Sequence, residues 1–520
     1  MCATDRREDV RRLRPVAAKL LLLCGLVVFL GCQPVIKSFT PEHGPVGMQV
    51  TIDGLRLGES ASDSTVKFKG ITVPAADMVY VSSTRLKAKV PIGAMTGQIS
   101  VKTSKGTGYS EENFVVDDIP GQAEWTFMVY LDADNNLEAA GIDDFLEMAS
   151  VADSSKVNII VQMDRIPGHT NSHGNWTGTR RFAIGHGDTP AMAPLQDLGE
   201  QNMGDPDVLQ DFVEWAITNY PAKRYMLSIW NHGNGWRQSR ERLHERAMRA
   251  RAASEPDQGV AKAVATDDTD DDILYMREVQ TALEGARQRL STLVKLDVVG
   301  FDACLMGMVE VAYACRDVAN YVVGSEDLEP GDGWPYDTIL GDLVAMPTMT
   351  AKGLADLVVD KYGSSYGGGT TQSSVGVSEL SALASKINAF TNVASTEWAA
   401  LKASRLASKQ YHPSWSSSCW GVDIWDFADE VYNRVNSAAI KTAAAQLKTA
   451  VEDFVTNVHP SAAGSGSHGV AIYFPPTQAE FNNDPDHGGY EESNTFMPVD
   501  FVRFENWDNW LLEAYYPNIP

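Results

Sequence analysis

Two patterns of hydrophobic and polar positions divide the chain. Between residues 32 and 117, short alternating runs such as VTIDGLRL, STVKFKGITV and GQISVKTSKG are separated by turn residues. Alternation with a period of two predicts half-buried strands, and many short strands predict an all-β sandwich. Between residues 125 and 520, continuous apolar runs (WTFMVYL, VNIIVQM, YMLSIW, LDVVGF, YVVGS) alternate with amphipathic stretches such as VLQDFVEWAITNY. That alternation predicts an α/β domain with a mostly parallel sheet flanked by helices.

Three other segments complete this outline. The acidic, turn-prone stretch 118–124 (DIPGQAE) is predicted to be a linker. The region from about residue 350 to 450 is predicted to be rich in helices. A last strand is predicted in GVAIYFP (469–475).

The first 31 residues have the character of a secretory signal peptide. Several arginines precede the apolar run AAKLLLLCGLVVFLGC, which is too short to favour a permanent membrane span. The run ends in FLGC, which resembles a bacterial lipoprotein cleavage box and implies that Cys32 is lipidated. An uncleaved anchor is the alternative. Both readings predict an exported protein held at the membrane of a bacterial cell envelope, in the periplasm or at the cell surface.

Charge and cysteine content narrow the choice of function. The chain has 43 Lys and Arg against 68 Asp and Glu, a net charge of −25, which argues against nucleic acid as a partner. Outside the signal and Cys32, only three cysteines remain: Cys304, Cys315 and Cys419. Three cysteines do not form a disulfide framework. A Cys315–Cys419 disulfide and two free thiols are both compatible with the sequence.

Two strands end in residues that are suited to catalysis. YMLSIW runs directly into Asn231-His232-Gly233, where glycine lets substrate approach a base closely. LDVVGF runs into Asp302-Ala303-Cys304, followed by the helical pattern LMGMVEVAYA. A thiol at a helix N-terminus is expected to have a lowered pKa and to be nucleophilic. The alternatives are a packing histidine and a small buried cysteine.

These motifs resemble known families. Residues 34–116, with PVIKSFTPEHGPVG and a closing FVV, resemble the IPT/TIG family of immunoglobulin-like domains. From residue 125 to about 516 the chain resembles the clostripain family of cysteine peptidases, relatives of the caspases and gingipains. This resemblance rests on WTFMVYLDADNNLE, SIWNHGNGW, VVGFDACLMGMVEVAY, SEDLEPGDGWPY and HGVAIYFP. It places the family's catalytic pair on His232 and Cys304.

The resemblance implies an endopeptidase that works through a thioester on Cys304, with His232 as acid and base. Backbone N–H groups of Gly233 and Cys304 would form the oxyanion hole, and no third catalytic residue is evident. No cofactor is expected. Protein or peptide substrates are the expected partners, and the ligand of the β-sandwich is not predicted.

The family's preference for basic residues implies an acidic specificity pocket, and the matching carboxylates are Asp302 and Asp332. A buried pair of carboxylates suits a guanidinium group, which predicts cleavage after arginine with lysine second. The alternative role for Asp302 is to cap the following helix.

An arginine-rich segment lies between the two catalytic residues. Residues 237–251 contain six arginines in a chain that is otherwise strongly acidic. Members of the family mature by cutting themselves in this interval, so the segment is predicted to be a self-processing loop. A solvated helical insertion is the alternative.

Two acidic clusters offer oxygen ligands that suit calcium. The candidates are Asp132 and Asp134 in DADNN, and Asp267 and Asp268 in DDTDDD. Calcium dependence occurs in the clostripain family. Helix capping and a solvated acidic loop are the competing interpretations.

Two other functions are compatible with the sequence. The protein could be a surface adhesion protein whose peptidase-like domain is inactive, although the presence of both His232 and Cys304 argues for activity. It could also be a transpeptidase in which an amine resolves the thioester.

Overall fold

The computed structural model describes residues 33–91, 94, 96–116, 122–237, 264–290, 293, 295–366, 368–411, 420–459, 466–492 and 498–520. The predicted signal peptide, Cys32 and Cys419 lie outside the described residues. The chain forms two compact units that divide near residue 120. Within the described ranges, no helix is both long enough and apolar enough to cross a bilayer.

The first unit is the predicted β-sandwich, and its two sheets have the strand orders β1-β3-β7-β6 and β2-β9-β8-β4-β5. The inward positions of each strand form a core around Phe114, whose ring lies 5.1 Å from that of Phe68 and 6.0 Å from that of Phe39. The strands are β1 Val35–Thr40, β2 His43–Gly44, β3 Gln49–Leu55, β4 Thr65–Phe68, β5 Ile71–Thr72, β6 Met78–Ser82, β7 Arg85–Lys89, β8 Gly97–Thr103 and β9 Gly106–Val116.

The second unit contains a sheet of nine strands in the order β13-β12-β11-β10-β14-β17-β18-β19-β21. The five predicted apolar runs form its five parallel strands, which lie side by side in the order β11-β10-β14-β17-β18. The strands are β10 Ala123–Ala133, β11 Val157–Arg165, β12 Thr179–Ala183, β13 Gln196–Gly199, β14 Ala222–Trp230, β17 Leu296–Asp302, β18 Ala319–Gly324, β19 Ser373–Gly376 and β21 Val455–Val458. The predicted α/β fold class is confirmed.

Helices cover this sheet and the residues that follow it. The longer ones are α1 Glu138–Ser150, α2 Pro206–Asn219, α3 Met276–Arg289, α4 Val309–Ala314, α5 Tyr336–Ala345, α6 Ala351–Tyr366, α7 Leu380–Val393, α8 Trp398–Ala407, α9 Ile424–Arg434, α10 Ala438–Phe454, α11 Gln478–Asn483 and α12 Asp500–Phe504. Helix α2 begins where its sequence indicates. The Asp205 side chain accepts a hydrogen bond from the N–H of Asp207 at 2.9 Å, and Pro206 occupies the first turn.

The structure adds edge strands that the sequence did not predict. Strands β12 and β13 pair antiparallel at one edge, and β19 and β21 do so at the other. The predicted C-terminal strand exists as β22 Ala471–Tyr473, but it pairs with β20 Gly421–Asp423 outside the main sheet. A hairpin of β15 Ala265–Asp267 and β16 Asp272–Leu274 is also separate.

Strand β10 lies at the centre of the parallel strands, between β11 and β14. All 11 of its residues are buried, because helices pack on both faces of the sheet at this point.

Candidate active site

Strands β14 and β17 place His232 and Cys304 at matching positions. The strands are adjacent and parallel, and Trp230 pairs with Asp302 at their carboxyl ends. The N–H of Asn231 continues the pairing to the carbonyl of Asp302 at 3.3 Å. His232 and Cys304 each lie two residues beyond that last pair. The parallel register therefore brings the predicted base and nucleophile to one edge of the sheet.

The two loops contact each other at Gly233. A β-carbon at this position would lie 2.2 Å from the carbonyl oxygen of Cys304 and 2.8 Å from its nitrogen. No side chain fits between these two backbones, so glycine is required for their close approach.

A third residue, Asn136, contacts the histidine. Its Oδ1 lies 2.7 Å from Nε2 of His232. Asn136 lies three residues beyond the end of β10, the strand on the other side of β14. An acceptor at Nε2 holds the proton on that nitrogen, so that the lone pair of the neutral ring lies on Nδ1. The sequence interpretation missed this residue, although its place beyond a parallel strand could have indicated it.

Cys304 does not lie at a helix N-terminus, and that prediction was wrong. Helix α4 begins only at Val309, and the intervening residues form a turn in which Leu305 has a φ of +64°. The N–H of Leu305 donates to the carbonyl of Asp327 at 3.0 Å, which fixes this turn against the end of β18. A positive φ in a residue other than glycine is a strained conformation that its surroundings must hold in place.

The thiol of Cys304 is not acidified in this setting. Burial raises its pKa, and the carboxylates of Asp327 and Asp302 act in the same direction. The N–H of Glu329 points at Sγ from 3.2 Å and partly opposes the rise. Burial therefore favours the neutral thiol, and a base would have to remove its proton before the sulfur could act as a nucleophile.

Cys315 is a contrasting thiol in the same domain. It is fully buried at the end of α4, and burial raises its pKa to about 12. A group of this kind is chemically inert at neutral pH.

Asp302 lies buried below Cys304. Its Oδ2 accepts hydrogen bonds from the hydroxyl of Tyr336 at 2.9 Å and from the N–H of Trp334 at 3.2 Å. Since no helix starts within six residues of it, the alternative role of helix cap is excluded.

Two further carboxyl groups, Asp144 and Glu329, accompany Asp302. A β-carbon at Gly333 would lie 3.1 Å from both Asp302 oxygens and 3.4 Å from Oδ2 of Asp144. Burial raises the pKa of Asp144, Asp302 and Glu329, and repulsion from Asp302 adds to the rise at Asp144 and Glu329. A hydrogen bond between Asp302 and Glu329 lets them share one proton. In the described part of the chain, no Lys or Arg forms an ion pair with these three carboxyl groups.

The walls of this acidic pocket contain polar groups that lack partners. Trp334 Nε1, the Tyr362 hydroxyl and Glu329 Oε2 are buried without a hydrogen bond within the described residues. Burial raises the pKa of the Tyr362 hydroxyl, and the nearby carboxyl groups of Glu329 and Asp302 add to the rise. Unsatisfied buried groups beside uncompensated acids are typical of a site that a ligand completes.

Asp332 differs from its predicted setting. It is exposed to solvent in the turn before Gly333, so the predicted buried pair of Asp302 and Asp332 is wrong. The buried partners of Asp302 are Asp144 on α1 and Glu329. Asp144 comes from a segment far from Asp302 in sequence. Glu329 lies in the same segment as Asp332, and only the fold shows which of the two is buried beside Asp302.

Arg237, the first residue of the arginine-rich segment, is buried. Its Nη1 lies 2.8 Å from both carboxylate oxygens of Asp484 and 3.6 Å from Asp486. The remaining arginines of the segment, from Arg240 to Arg251, lie outside the described residues. Arg237 is thus held within the domain by these buried carboxylates.

A second acidic cluster lies at the ends of β10, β11 and β15. Oxygens of Asp134, Asp164 and Glu200 lie within 4.8 Å of one another, as do those of Glu200, Asp267 and Asp270. Of the predicted candidates, Asp134 and Asp267 belong to these groups, whereas Asp132 and Asp268 do not. Asp270 lies in the predicted DDTDDD segment, whereas Asp164 and Glu200 were not predicted, because they come from segments that only the fold brings to this cluster.

The cluster lacks a compensating cation in the described residues, where no Lys or Arg forms an ion pair with it. Burial and mutual repulsion raise the pKa of Asp267 to about 6 and that of Glu200 to about 7. Asp164 accepts hydrogen bonds from the N–H of Arg165 and the hydroxyl of Thr179, so its oxygens are fixed in place. This set of hard oxygen donors fits Ca²⁺.

Comparison with known proteins agrees with this description. The model of the Clostripain family matches residues 129–483, and that of the IPT/TIG domain matches residues 34–116. Clostripain of Hathewaya histolytica is 32% identical over 244 residues, which is 42% of this chain and 42% of that protein. The alignment therefore spans less than half the length of this relative.

Two solved structures share the fold. A secreted C11 cysteine protease from Bacteroides thetaiotaomicron, in complex with an irreversible peptide inhibitor, has a TM-score of 0.52 at 22% identity and covers 74% of this chain and 100% of its own. An inactive zymogen C11 protease from Parabacteroides distasonis has a TM-score of 0.53 at 19% identity, covering 76% and 99%. Since the family model matches more than half of the chain, this protein belongs to the clostripain family of cysteine peptidases and carries an IPT/TIG domain before its peptidase domain.

Proposed function

We propose that this protein is an endopeptidase that cleaves after arginine, with lysine as second choice, through His232 and Cys304. The observation that carries the proposal is the register of β14 and β17, which puts both residues two positions beyond the pair Trp230–Asp302. A base and a nucleophile at one sheet edge, above a pocket of uncompensated carboxyl groups, suit hydrolysis at a cationic residue.

In the proposed reaction, the Cys304 thiol gives its proton to Nδ1 of His232 while sulfur bonds to the scissile carbonyl carbon. The carbon–nitrogen bond then breaks, and the amine leaves with the proton from His232. Water next gives a proton to His232 and attacks the thioester, which releases the acid and restores the thiol. The required atoms all belong to side chains and water, so the chemistry needs no cofactor.

The N–H groups of Gly233 and Cys304 are the proposed donors to the oxyanion. Their backbones approach so closely that no β-carbon fits between them, which supports a shared site for one oxygen atom. Such donors each contribute about 3 kcal/mol to transition-state stabilisation in other proteases.

The substrate's arginine is proposed to enter the pocket of Asp302, Asp144 and Glu329. When the pocket is empty, Asp302 and Glu329 share a proton; an entering guanidinium stabilises both as carboxylates and expels it. Asp332 lies exposed one residue before Gly333 and is proposed to act at the pocket's rim.

The protein is proposed to be exported and held at the cell envelope through lipid on Cys32. The N-terminal sequence supports this, with its arginines, apolar run and FLGC box.

We expect Cys304→Ala to lower kcat/KM on a fluorogenic arginyl peptide by about four orders of magnitude or more, because the nucleophile is removed. The matched control is Cys315→Ala, which removes the inert thiol and should keep activity within about twofold. Full activity in Cys304→Ala would point to another nucleophile, whereas no activity in the unaltered protein would favour an adhesion protein. An added amine that diverts product to a ligated peptide would indicate a transpeptidase.

For the specificity pocket, Asp302→Asn should lower kcat/KM on arginyl peptides by about 100-fold, because a buried charge pair is lost. Its effect on the neutral citrulline analogue should be below about threefold, so the preference for arginine over citrulline collapses. Asp332→Asn, at an exposed site, should change that preference far less. An equal loss on both peptides in Asp302→Asn would show that Asp302 does not recognise the charge.

Asn136→Ala should lower kcat by about tenfold with little change in KM, because His232 loses the acceptor that orients it. Asn136→Asp should restore much of kcat and move the acidic limb of the pH profile upward, since a carboxylate raises the histidine pKa and His232 accepts the thiol proton only when it is neutral. Asn433→Ala removes an exposed asparagine far along the chain and serves as the control. An unchanged kcat in Asn136→Ala would contradict the positioning role.

Self-processing is proposed to occur after an arginine between residues 240 and 251. Intact mass spectrometry should find two fragments in active protein and a single chain in Cys304→Ala, which active enzyme then converts in trans. Cleavage after Arg237 is not expected, because its guanidinium is held by Asp484. An intact, uncut chain in both proteins would refute self-processing.

Calcium is proposed to bind the cluster of Asp134, Asp164, Glu200, Asp267 and Asp270 and to stabilise the fold. Because the folded protein holds protons on these acids more tightly than the unfolded chain does, its stability without calcium falls as pH rises through about 6 to 7. Calcium should therefore raise the melting temperature by several degrees at pH 8 and by much less at pH 5. Glu200→Gln should reduce this shift; equal melting temperatures with calcium and with chelator at both pH values would rule the site out.

A further inference from the structure

The IPT/TIG domain has a cleft on the outer face of its sheet β2-β9-β8-β4-β5. The cleft has a volume of about 660 Å³. Alternate residues of these strands, such as Val66, Phe68, Ile99 and Val101, face the core, so their neighbours in sequence face outward. The cleft is therefore formed by side chains that the fold itself does not need.

The register across the strands sets the order of these outward side chains. Lys67 pairs with Ser100, and Ser100 pairs with Tyr109, which forms one row across β4, β8 and β9. Lys102 pairs with Thr107 in the next row. Lys69 lies in the row on the opposite side of the Lys67–Ser100–Tyr109 row, next to Gln98, and its N–H donates to the carbonyl of Gln98. Since successive rows are about 7 Å apart, three ammonium groups are spread along the cleft.

Among the described residues of the domain, three cations form ion pairs and the lysines of the cleft do not. Arg85, Lys89 and Lys105 form ion pairs with Asp53, Asp77 and Glu59. In the described part of the domain, no ion pair involves Lys67, Lys69 or Lys102. Residues 34–116 contain nine Lys and Arg against seven Asp and Glu, whereas the whole chain has a net charge of −25. The cleft is thus a local cationic site on a strongly acidic protein.

An aromatic ring lies beside these charges. Tyr109 has 63% of its surface exposed, although it is in the middle of a paired strand. Its neighbours along the cleft are hydroxyl and amide side chains, those of Ser100, Thr107, Gln98 and Asn113. An exposed ring among neutral hydrogen-bonding groups suits the apolar face and hydroxyl groups of a sugar.

We propose that this cleft binds an acidic polysaccharide. The ammonium groups would pair with successive carboxylate or sulfate groups along the polymer, and a sugar ring would stack on Tyr109. A linear polyanion matches three cations in separate rows better than a single small anion does. The absence of arginine among the residues that line the cleft argues against a site built for bidentate binding of phosphate. This proposal is independent of the peptidase chemistry.

Isothermal titration at 0.15 M salt tests the proposal with the Cys304→Ala chain, which does not cut itself if the peptidase proposal holds. Polygalacturonate supplies carboxylates, chondroitin sulfate adds sulfates, and neutral dextran, oligo-dT and anionic phospholipid vesicles are comparison ligands. We expect at least one of the two acidic polysaccharides to bind, and the one that binds more tightly identifies the preferred anion. The triple variant Lys67→Ser, Lys69→Ser, Lys102→Ser should weaken that binding at least tenfold. Tyr109→Ala, which leaves the charge unchanged, should weaken it at least fivefold.

The matched control removes three cations from the other sheet, as Lys37→Ser, Lys87→Ser, Lys89→Ser. It should change the affinity by less than twofold, because these residues lie outside the cleft. Equal loss in both triple variants would mean that binding depends on overall charge and would overturn the proposal. So would the absence of binding to both acidic polysaccharides, or equally tight binding of dextran, oligo-dT or vesicles.

Discussion

The candidate site depends on the parallel pairing of β14 with β17. Because Trp230 pairs with Asp302 and the N–H of Asn231 donates to the carbonyl of Asp302, the residues two positions beyond that pair lie at the same edge of the sheet. A slip of one residue would turn Asp302 away from its pocket and move Cys304 from the edge. The buried neighbour β10 resists such a slip, and it also positions Asn136 against His232.

The pocket below Cys304 holds three buried carboxyl groups, those of Asp144, Asp302 and Glu329. These three carboxyl groups have no cationic partner in the described residues, and burial makes their ionisation unfavourable. Burying acids without a cationic partner lowers the stability of the fold, unless a bound ligand offsets their charge. Burial in the same neighbourhood raises the pKa of the Cys304 thiol and favours its neutral form. The candidate nucleophile and the acidic pocket thus lie in one small volume.

The sequence predicted the parallel strands because each is a continuous apolar run, and residues that follow such runs lie at one edge. It did not predict β12, β13, β19 and β21, which are short and only partly apolar. It placed a helix directly after Cys304 because LMGMVEVAYA has helical spacing, but the contacts of Leu305 and Gly307 with Asp327 and Ser325 hold a turn there. Asn136, Asp144 and Glu329 were missed for a different reason. Each contacts a residue from another part of the chain: Asn136 contacts His232, and Asp144 and Glu329 lie beside Asp302. These contacts form only when the sheet and α1 have folded.

The central claim is that the strand register creates one reactive thiol beside a base and above an acidic pocket. Intact-mass and peptide mapping after treatment with an arginyl acyloxymethyl ketone test it directly, with a glutamyl reagent as the comparison. The account predicts a single adduct on Cys304 from the arginyl reagent, none on Cys315, and little reaction of the His232→Ala variant. Labelling of Cys315, or equal labelling of Cys304 by the arginyl and glutamyl reagents, would contradict it.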